Sequence, residues 1–360
     1  MASPLPSPNR EVRVLIVDDS AFMRRAMERL ISAIPGVTVV GTAGDGLEGI
    51  KRALELRPDV ITMDVEMPRM DGVSAVAEIM QTIPTPIVMV STLTSAGADT
   101  TLRALEAGAV EAIAKPSGLS HDLANVSERL AEAIQRASHA RVSRRRPLLV
   151  AALPRTTAAG PDLTGRIKAQ HLLVIGSSTG GPPALTEVVP HLPADLNAAV
   201  LIVQHMPAGF TGALARRLDT LSQLSVAEAV EGEPVVTGRV FVAPGDFHMV
   251  VTRDRRIHLH KEPSLHGVRP SVDITLNSVP DAYGANVAVA ILTGMGKDGA
   301  EGAALVERAG GKVITQDEAT CVVYGMPRVT KEKTQRATEL PLDRIADALS
   351  RALPGLRGTR

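Results

Sequence analysis

Apolar residues in the first third of the chain come in short runs, each followed by a stretch with helical spacing. Arg13–Val17 is such a run and closes on Asp18 and Asp19. Ala21–Ile34 then carries helical periodicity, with Ser20 placed as its N-cap. The alternation continues with a strand at Val37–Val40, a helix at Gly46–Leu56 and a strand at Val60–Met63 that ends at Asp64. Val73–Met80 is a helix, Ile87–Val90 a strand, Ala98–Ala107 a helix, Val110–Ala114 a strand and His121–Ala137 a last helix. Strands alternating with helices predict a parallel sheet covered on both faces, with ligands at the carboxyl ends of its strands.

A second alternation starts at His171–Ile175, a strand of the fully buried type, followed by a helix at Pro183–Val189 and a strand at Ala199–Val203. A helix is predicted over Thr211–Leu218. Residues 225–277 are richer in β-branched residues and turns, with hairpin-like pieces around Val240–Ala243, Met249–Thr252 and Ile257–His260. Asn286–Leu292 is a strand, Gly299–Ala309 a helix, Lys312–Thr315 a strand, and a helix around Asp343–Leu353 follows. The pattern holds no internal repeat.

At 360 residues the chain suggests two domains, given about 150 residues for each. Lys+Arg and Asp+Glu both number 39, so no overall charge points to nucleic acid or a membrane surface. The distribution says more. Residues 1–135 hold 12 basic and 18 acidic side chains, residues 136–168 hold 8 and 1, and residues 169–360 hold 19 and 20. The basic middle segment mixes Arg, Ser, Ala, Thr and Pro without periodicity and is read as a flexible linker, 136–168, between domains at 11–135 and 169–355. Its Arg144-Arg145-Arg146 run is read as a solvated part of that linker. One cysteine, Cys321, excludes an internal disulfide framework and suits a reducing compartment. MASPLPSPNR has no apolar core of the secretory type, and no apolar run approaches the roughly 20 residues of a membrane helix. A cytoplasmic location without membrane insertion is the expectation.

Asp18 and Asp19 end the first strand, Asp64 the third, Ser91 the fourth and Lys115 the fifth. A parallel sheet brings these ends to one edge, where crowded carboxylates need a cation between them. Oxygen-only ligands favour Mg²⁺. With Lys115, such an ion neutralises an incoming phosphoryl group, and Asp64, alone on the central strand, is the candidate nucleophile. Over residues 11–135 the sequence resembles the response-regulator receiver domain. The carrying residues are Val17-Asp18-Asp19, Met63-Asp64-Val65-Glu66-Met67-Pro68 with Asp71-Gly72, Ser91 and Lys115-Pro116. The resemblance implies a flavodoxin-like (βα)5 fold and Mg²⁺ held by Asp18, Asp19 and Asp64. It also implies phosphorylation of Asp64 by a histidine kinase, with Ser91 and Lys115 in support. One position departs: where many receivers carry an aromatic switch residue, this chain has Ala112, so its signal is expected to use another surface.

In the second domain Gly176-Ser177-Ser178-Thr179-Gly180 fits the G-x-S-x-G elbow, which exposes a serine hydroxyl on a sharp strand-to-helix turn. The Thr179 amide faces a developing oxyanion. His205 ends the next strand and is the candidate base, and Asp298, in a strand-to-helix turn, is the candidate orienter of its imidazole. The competing reading of Asp298 is a helix N-cap. His258 and His260 share a strand face and are read as solvated, without a third ligand. The order Ser…His…Asp differs from the α/β-hydrolase order, so the chemistry is convergent.

Residues 171–355 resemble the catalytic domain of the CheB family of chemotaxis protein-glutamate methylesterases. The matching stretches are Ile175–Gly181, Gln204-His205-Met206-Pro207 with Phe210-Thr211, Val242-Ala243-Pro244-Gly245-Asp246 with His248, Arg269-Pro270-Ser271-Val272-Asp273, Leu292–Gly299 and Gln316–Pro327. The resemblance implies Ser178 as nucleophile, His205 as general base and acid, Asp298 as orienter and Met295 at the oxyanion site. The implied activity is demethylation of glutamate methyl esters on methyl-accepting chemoreceptors, with deamidation of receptor glutamines, and no cofactor for the esterase step. Phosphorylation is expected to open a two-state interface between the domains of a monomer. The expected fold is α/β, a receiver followed by a doubly wound, mostly parallel catalytic domain with an added β-hairpin region. The rival functions are a non-catalytic, phosphorylation-dependent protein-binding regulator and a DNA-binding regulator. The latter lacks a basic footprint and a helix-turn-helix pair.

Overall fold

The apolar runs of the first domain form one parallel sheet. A computed structural model describes residues 11–91, 94–115, 123–143 and 167–356. Pro116, His121 and residues 144–166, with the Arg144–Arg146 run, lie outside the described residues. The first unit, Met1–Leu148, holds β1 (Val12–Val17), α1 (Ala21–Ser32), β2 (Val37–Ala43), α2 (Gly46–Leu56), β3 (Val60–Asp64), α3 (Gly72–Thr82), β4 (Ile87–Ser91), α4 (Ser95–Ala107), β5 (Glu111–Ala114) and α5 (Leu123–Ser138). Ser20 caps α1 as expected, accepting from the Met23 amide at 3.3 Å. The strand order is β2-β1-β3-β4-β5, all parallel. Chain progression reverses between β1 and β3, so the crevice at their carboxyl ends is the expected ligand site.

The second unit, Leu149–Arg360, is built on a seven-stranded sheet. Its elements are β6 (Leu172–Ser177), α6 (Gly181–Val188), β7 (Ala199–Gln204), α7 (Phe210–Leu221), β8 (Ser225–Glu228) and β9 (Arg239–Val242), then β10 (His248–Val251) and β11 (Ile257–His260). There follow α8 (Val272–Tyr283), β12 (Val287–Ile291), α9 (Ala300–Arg308), β13 (Lys312–Gln316), α10 (Met326–Lys333), β14 (Thr338–Leu340) and α11 (Leu342–Arg351). The order β14-β13-β12-β6-β7-β9-β8 is parallel throughout, and β10 and β11 pair antiparallel outside it. The pieces around Met249–Thr252 and Ile257–His260 therefore form a hairpin as expected, and the piece around Val240–Ala243 does not. Val240–Val242 belongs to β9, which lies between β7 and β8 in the main sheet. Its all-buried run Arg239–Val242 is what a central parallel strand requires.

Four elements of the second unit escape the hydropathy pattern: β8, α8, α10 and β14. α8 carries β-branched residues and an internal Pro280, which argue locally against a helix. Its buried Val272, Leu276, Val279 and Tyr283 nevertheless recur at helical spacing and pack into the main core with Val289, Ile291 and Met249. Tertiary burial outweighs the propensity. The progression reverses again between β6 and β12, which sets a second crevice at the carboxyl ends of β6, β7 and β12.

Candidate phosphoacceptor and catalytic sites

In the first unit the expected residues meet at the β1/β3 reversal. One ammonium serves two carboxylates: Lys115 Nζ lies 2.6 Å from Asp64 Oδ2 and 3.1 Å from Asp18 Oδ2. Asp64 Oδ1 accepts the Val65 amide at 2.7 Å, and Asp18 Oδ1 accepts that of Ser20 at 2.9 Å. Burial, only partly offset by Lys115 and reinforced by the charge of Asp18, holds the Asp64 carboxyl above its usual range. Burial depresses Lys115, but its bonds and charges shared with Asp64 and Asp18 prevail and raise it. Both directions follow from one cation divided between two acids. Asp19 is exposed beside them, and one oxygen from each of Asp18, Asp19 and Asp64 lies within 4.8 Å of the others. Such an all-oxygen set, with more negative charge than its lysine compensates, fits a hard divalent cation. Ser91 is buried at the end of β4, and its carbonyl accepts the Lys115 amide at 2.7 Å. Ala112 is buried in β5 opposite Met89.

In the second unit the β6–β7 register pairs Ser177 with Gln204, so Ser178 and His205 leave adjacent strands side by side. Gly180, the N-cap of α6, has φ +77°, the left-handed conformation a sharp elbow needs and glycine tolerates. Gln204 clamps the elbow from below. Its Oε1 accepts the Ser177 hydroxyl at 2.7 Å, and its Nε2 donates to the Ser178 and His205 carbonyls at 3.0 and 2.9 Å. The Ser178 amide donates to the Thr293 carbonyl at 3.0 Å. Gly294 follows it, and a Cβ there would sit 2.8 Å from Ser178 Cβ and collide with Met326 Sδ. Only glycine lets this loop carry Met295, half-buried, alongside the elbow. Thr179 is buried, with its carbonyl accepting the Thr293 hydroxyl at 3.0 Å.

His205 Nε2 donates to Asp298 Oδ2 at 2.8 Å, leaving Nδ1 as the ring nitrogen able to accept a proton. Asp298 does not cap the helix that follows it. Gly299 is the N-cap of α9 and makes no side-chain bond, whereas the Asp298 carboxylate sits at the N-terminus of α8. There Oδ2 also accepts the Val272 amide at 2.7 Å, and Oδ1 accepts the Ser271 hydroxyl at 2.7 Å and the Asp273 amide at 3.0 Å. Burial pushes the Asp298 carboxyl up, but His205, the Asp273 amide and Ser271 outweigh it and hold it down at about 2. The helix dipole of α8 acts in the same direction.

Ser271 and Gln204 were visible in the sequence only as members of quoted stretches. Their available signal is a polar side chain beside a buried strand end, where satisfaction is compulsory. The expected solvated face of His258 and His260 holds for His258 alone. His260 is half-buried, with its ring 5.4 Å from that of the fully buried His248.

Two family models match: the CheB methylesterase over residues 173–349 and the response regulator receiver domain over residues 14–126. The chain is 49% identical over 358 residues to a protein-glutamate methylesterase/protein-glutamine glutaminase of Symbiobacterium thermophilum, with 96% of this chain and 98% of that protein covered. It is 45% identical over 345 residues to the protein of that name from Thermotoga maritima, covering 95% and 98%. The crystal structure of the Thermotoga maritima CheB methylesterase catalytic domain is 44% identical, with a TM-score of 0.47, and covers 50% of this chain and 96% of its own. Read with two reversal-point sites and the full-length likeness, the chain belongs to the CheB methylesterase family, with a response regulator receiver domain preceding the methylesterase domain.

Proposed function

We propose that the methylesterase chemistry of this chain is carried by Ser178, His205 and Asp298 and gated by phosphorylation of Asp64. His205 Nδ1 takes the hydroxyl proton as Ser178 Oγ attacks the γ-carbonyl carbon of a glutamate methyl ester on a chemoreceptor. Asp298 holds the ring and stabilises the imidazolium. The Thr179 amide and the backbone at Met295 receive the developing oxyanion. Collapse breaks the C–OCH₃ bond, and methanol leaves with the proton from His205. Water, deprotonated by His205, then attacks the acyl carbon, the bond to Ser178 Oγ breaks, His205 returns the proton to that oxygen, and the glutamate is freed. A glutamine substrate follows the same path with ammonia leaving.

In the receiver, Asp64 is the phosphoacceptor for a chemotaxis histidine kinase. Asp18, Asp19 and Asp64 hold Mg²⁺, which when bound neutralises phosphoryl charge. Lys115 and Ser91 contact the transferred group, and Asp18 and Asp64 share the lysine between transfers. The reaction takes place on the cytoplasmic portion of methyl-accepting chemoreceptors. Among the described residues no helix is long and apolar enough to cross a membrane.

The observation that carries this reading is the His205–Asp298 bond at 2.8 Å, which leaves Nδ1 for the neighbouring serine. Methanol release from methylated receptors, with phosphodonor and Mg²⁺ present, tests it. Ser178→Ala is expected to lower release by at least about 10⁴-fold. Parent-like release from that variant sinks the reading.

A further inference from the structure

Ser271, which donates to the Asp298 carboxylate, is itself held by a residue that the triad does not use. His248 opens β10 and is fully buried. Its Nδ1 accepts the Ser271 backbone N–H at 3.2 Å, and its Nε2 faces the Pro263 carbonyl at 3.2 Å. A backbone amide can only donate and a carbonyl can only accept. The ring is therefore neutral, with its proton on Nε2. An imidazolium would set one N–H against another.

We propose that His248 is a positioning residue for the triad, acting through Ser271 to hold Asp298 against His205. The inference rests on the Ser178–His205–Asp298 reading. Ser271 joins two roles: its hydroxyl donates to Asp298 Oδ1, and its backbone begins α8, whose Val272 and Asp273 amides hold the same carboxylate. Three of the four donors to Asp298 thus belong to one turn, and His248 is the side chain that accepts from the amide starting it. With that acceptor removed, the buried N–H has no partner, and the turn must shift to find one. The shift carries the Asp298 donors with it.

An apolar filler of the core would need neither nitrogen, yet both are engaged. The surrounding charges fit a ring kept neutral. Burial is the largest influence lowering its pKa, the Pro263 carbonyl opposes it, and His260 and Arg269 add to the lowering. His260 faces it across the β10–β11 ladder, and Arg269 is paired with Asp246, which also binds Lys261. The charge of Asp298 opposes that lowering, and the buried Asp273, whose amide Asp298 accepts, has His266 Nε2 at 3.5 Å.

The test compares His248→Leu, which removes both bonds, with His248→Asn, whose Oδ1 can replace Nδ1 as acceptor for Ser271. Both are made in the full chain with phosphodonor and Mg²⁺, beside Asp298→Asn. The expected result for His248→Leu is a kcat about 10- to 100-fold lower with little change in KM. The acid limb of kcat/KM moves to lower pH, because a loosened carboxylate stabilises the His205 imidazolium less. His248→Asn recovers most of both changes. The NMR signal of the proton between His205 and Asp298 broadens or shifts in His248→Leu and returns in His248→Asn.

A folded His248→Leu with parental kcat, acid limb and proton signal overturns the proposal. So does a His248→Asn no better than His248→Leu. If His248→Leu does not fold, His248→Asn decides by the same readouts: near-parental values support the proposal, and a defect in kcat with an unmoved acid limb overturns it. Loss of the triad reading looks different, because Asp298→Asn then keeps its activity.

Discussion

Two parallel sheets in this chain each place a buried carboxylate where the strand order reverses, and the two carboxylates behave in opposite ways. Asp64 and Asp298 are 5% and 2% exposed, so burial alone does not separate them. The difference lies in their donors. Asp64 has one amide and a lysine shared with Asp18, and burial prevails to raise its pKa. Asp298 has two amides, a hydroxyl and an imidazole, and these overcome burial to bring it to about 2. An under-satisfied carboxylate suits a group that must meet a cation and accept a phosphoryl group. A saturated one suits an anchor that stays ionised, orients a histidine and stabilises its imidazolium.

The largest expected effect that tests the contrast is Asp298→Asn. The amide cannot hold the same histidine tautomer, and kcat should fall by about 10⁴-fold in a methanol-release assay. Near-parental turnover would break the comparison at its catalytic end. Asp64→Asn should instead keep unstimulated turnover and lose the response to phosphodonor, along with label incorporated from a radioactive donor. Retained labelling would move the phosphoacceptor elsewhere.

Smaller effects sharpen the contrast through stability. Mg²⁺ at 100 times its Kd should stabilise the receiver transition by about 2.7 kcal/mol, seen as a raised Tm that Asp18→Asn reduces. Metal-insensitive melting would count against the acidic site. The pH dependences have opposite signs. Asp298, depressed from 3.8 to about 2, contributes about 2 kcal/mol above pH 4, and this is lost as pH falls toward 2. Asp64, raised above 3.8, favours the folded receiver most at low pH, and that contribution is lost as pH rises through its folded value. Denaturant titrations between pH 2 and 6 on parent, Asp298→Asn and Asp64→Asn should show opposite slopes for the two groups. Equal slopes would erase the distinction.

Most of the first sheet was legible because each strand run and helix period is local. Gly46–Leu56 matches its helix end for end, and Ile87–Val90 misses its strand by one residue. The second domain hid more. Pro280 and the β-branched residues of α8 speak against a helix until Leu276 and Val279 meet the core. Val240–Ala243 reads as hairpin material because a four-residue apolar run does not say which strand it will pair with.

The sequence by itself determined the two domains, the strand ends bearing Asp18, Asp64, Ser178 and His205, the strand-to-helix turn bearing Asp298, and the family resemblance. These depend on local patterning and on which residues follow each strand. Tertiary structure alone decided that Asp298 answers to α8 rather than to the helix after it, and that Gln204 holds the elbow. It also decided that His248 stands behind Ser271. Such assignments join residues more than 20 positions apart through single hydrogen bonds. No periodicity records them, because only packing selects which donor a buried acceptor meets.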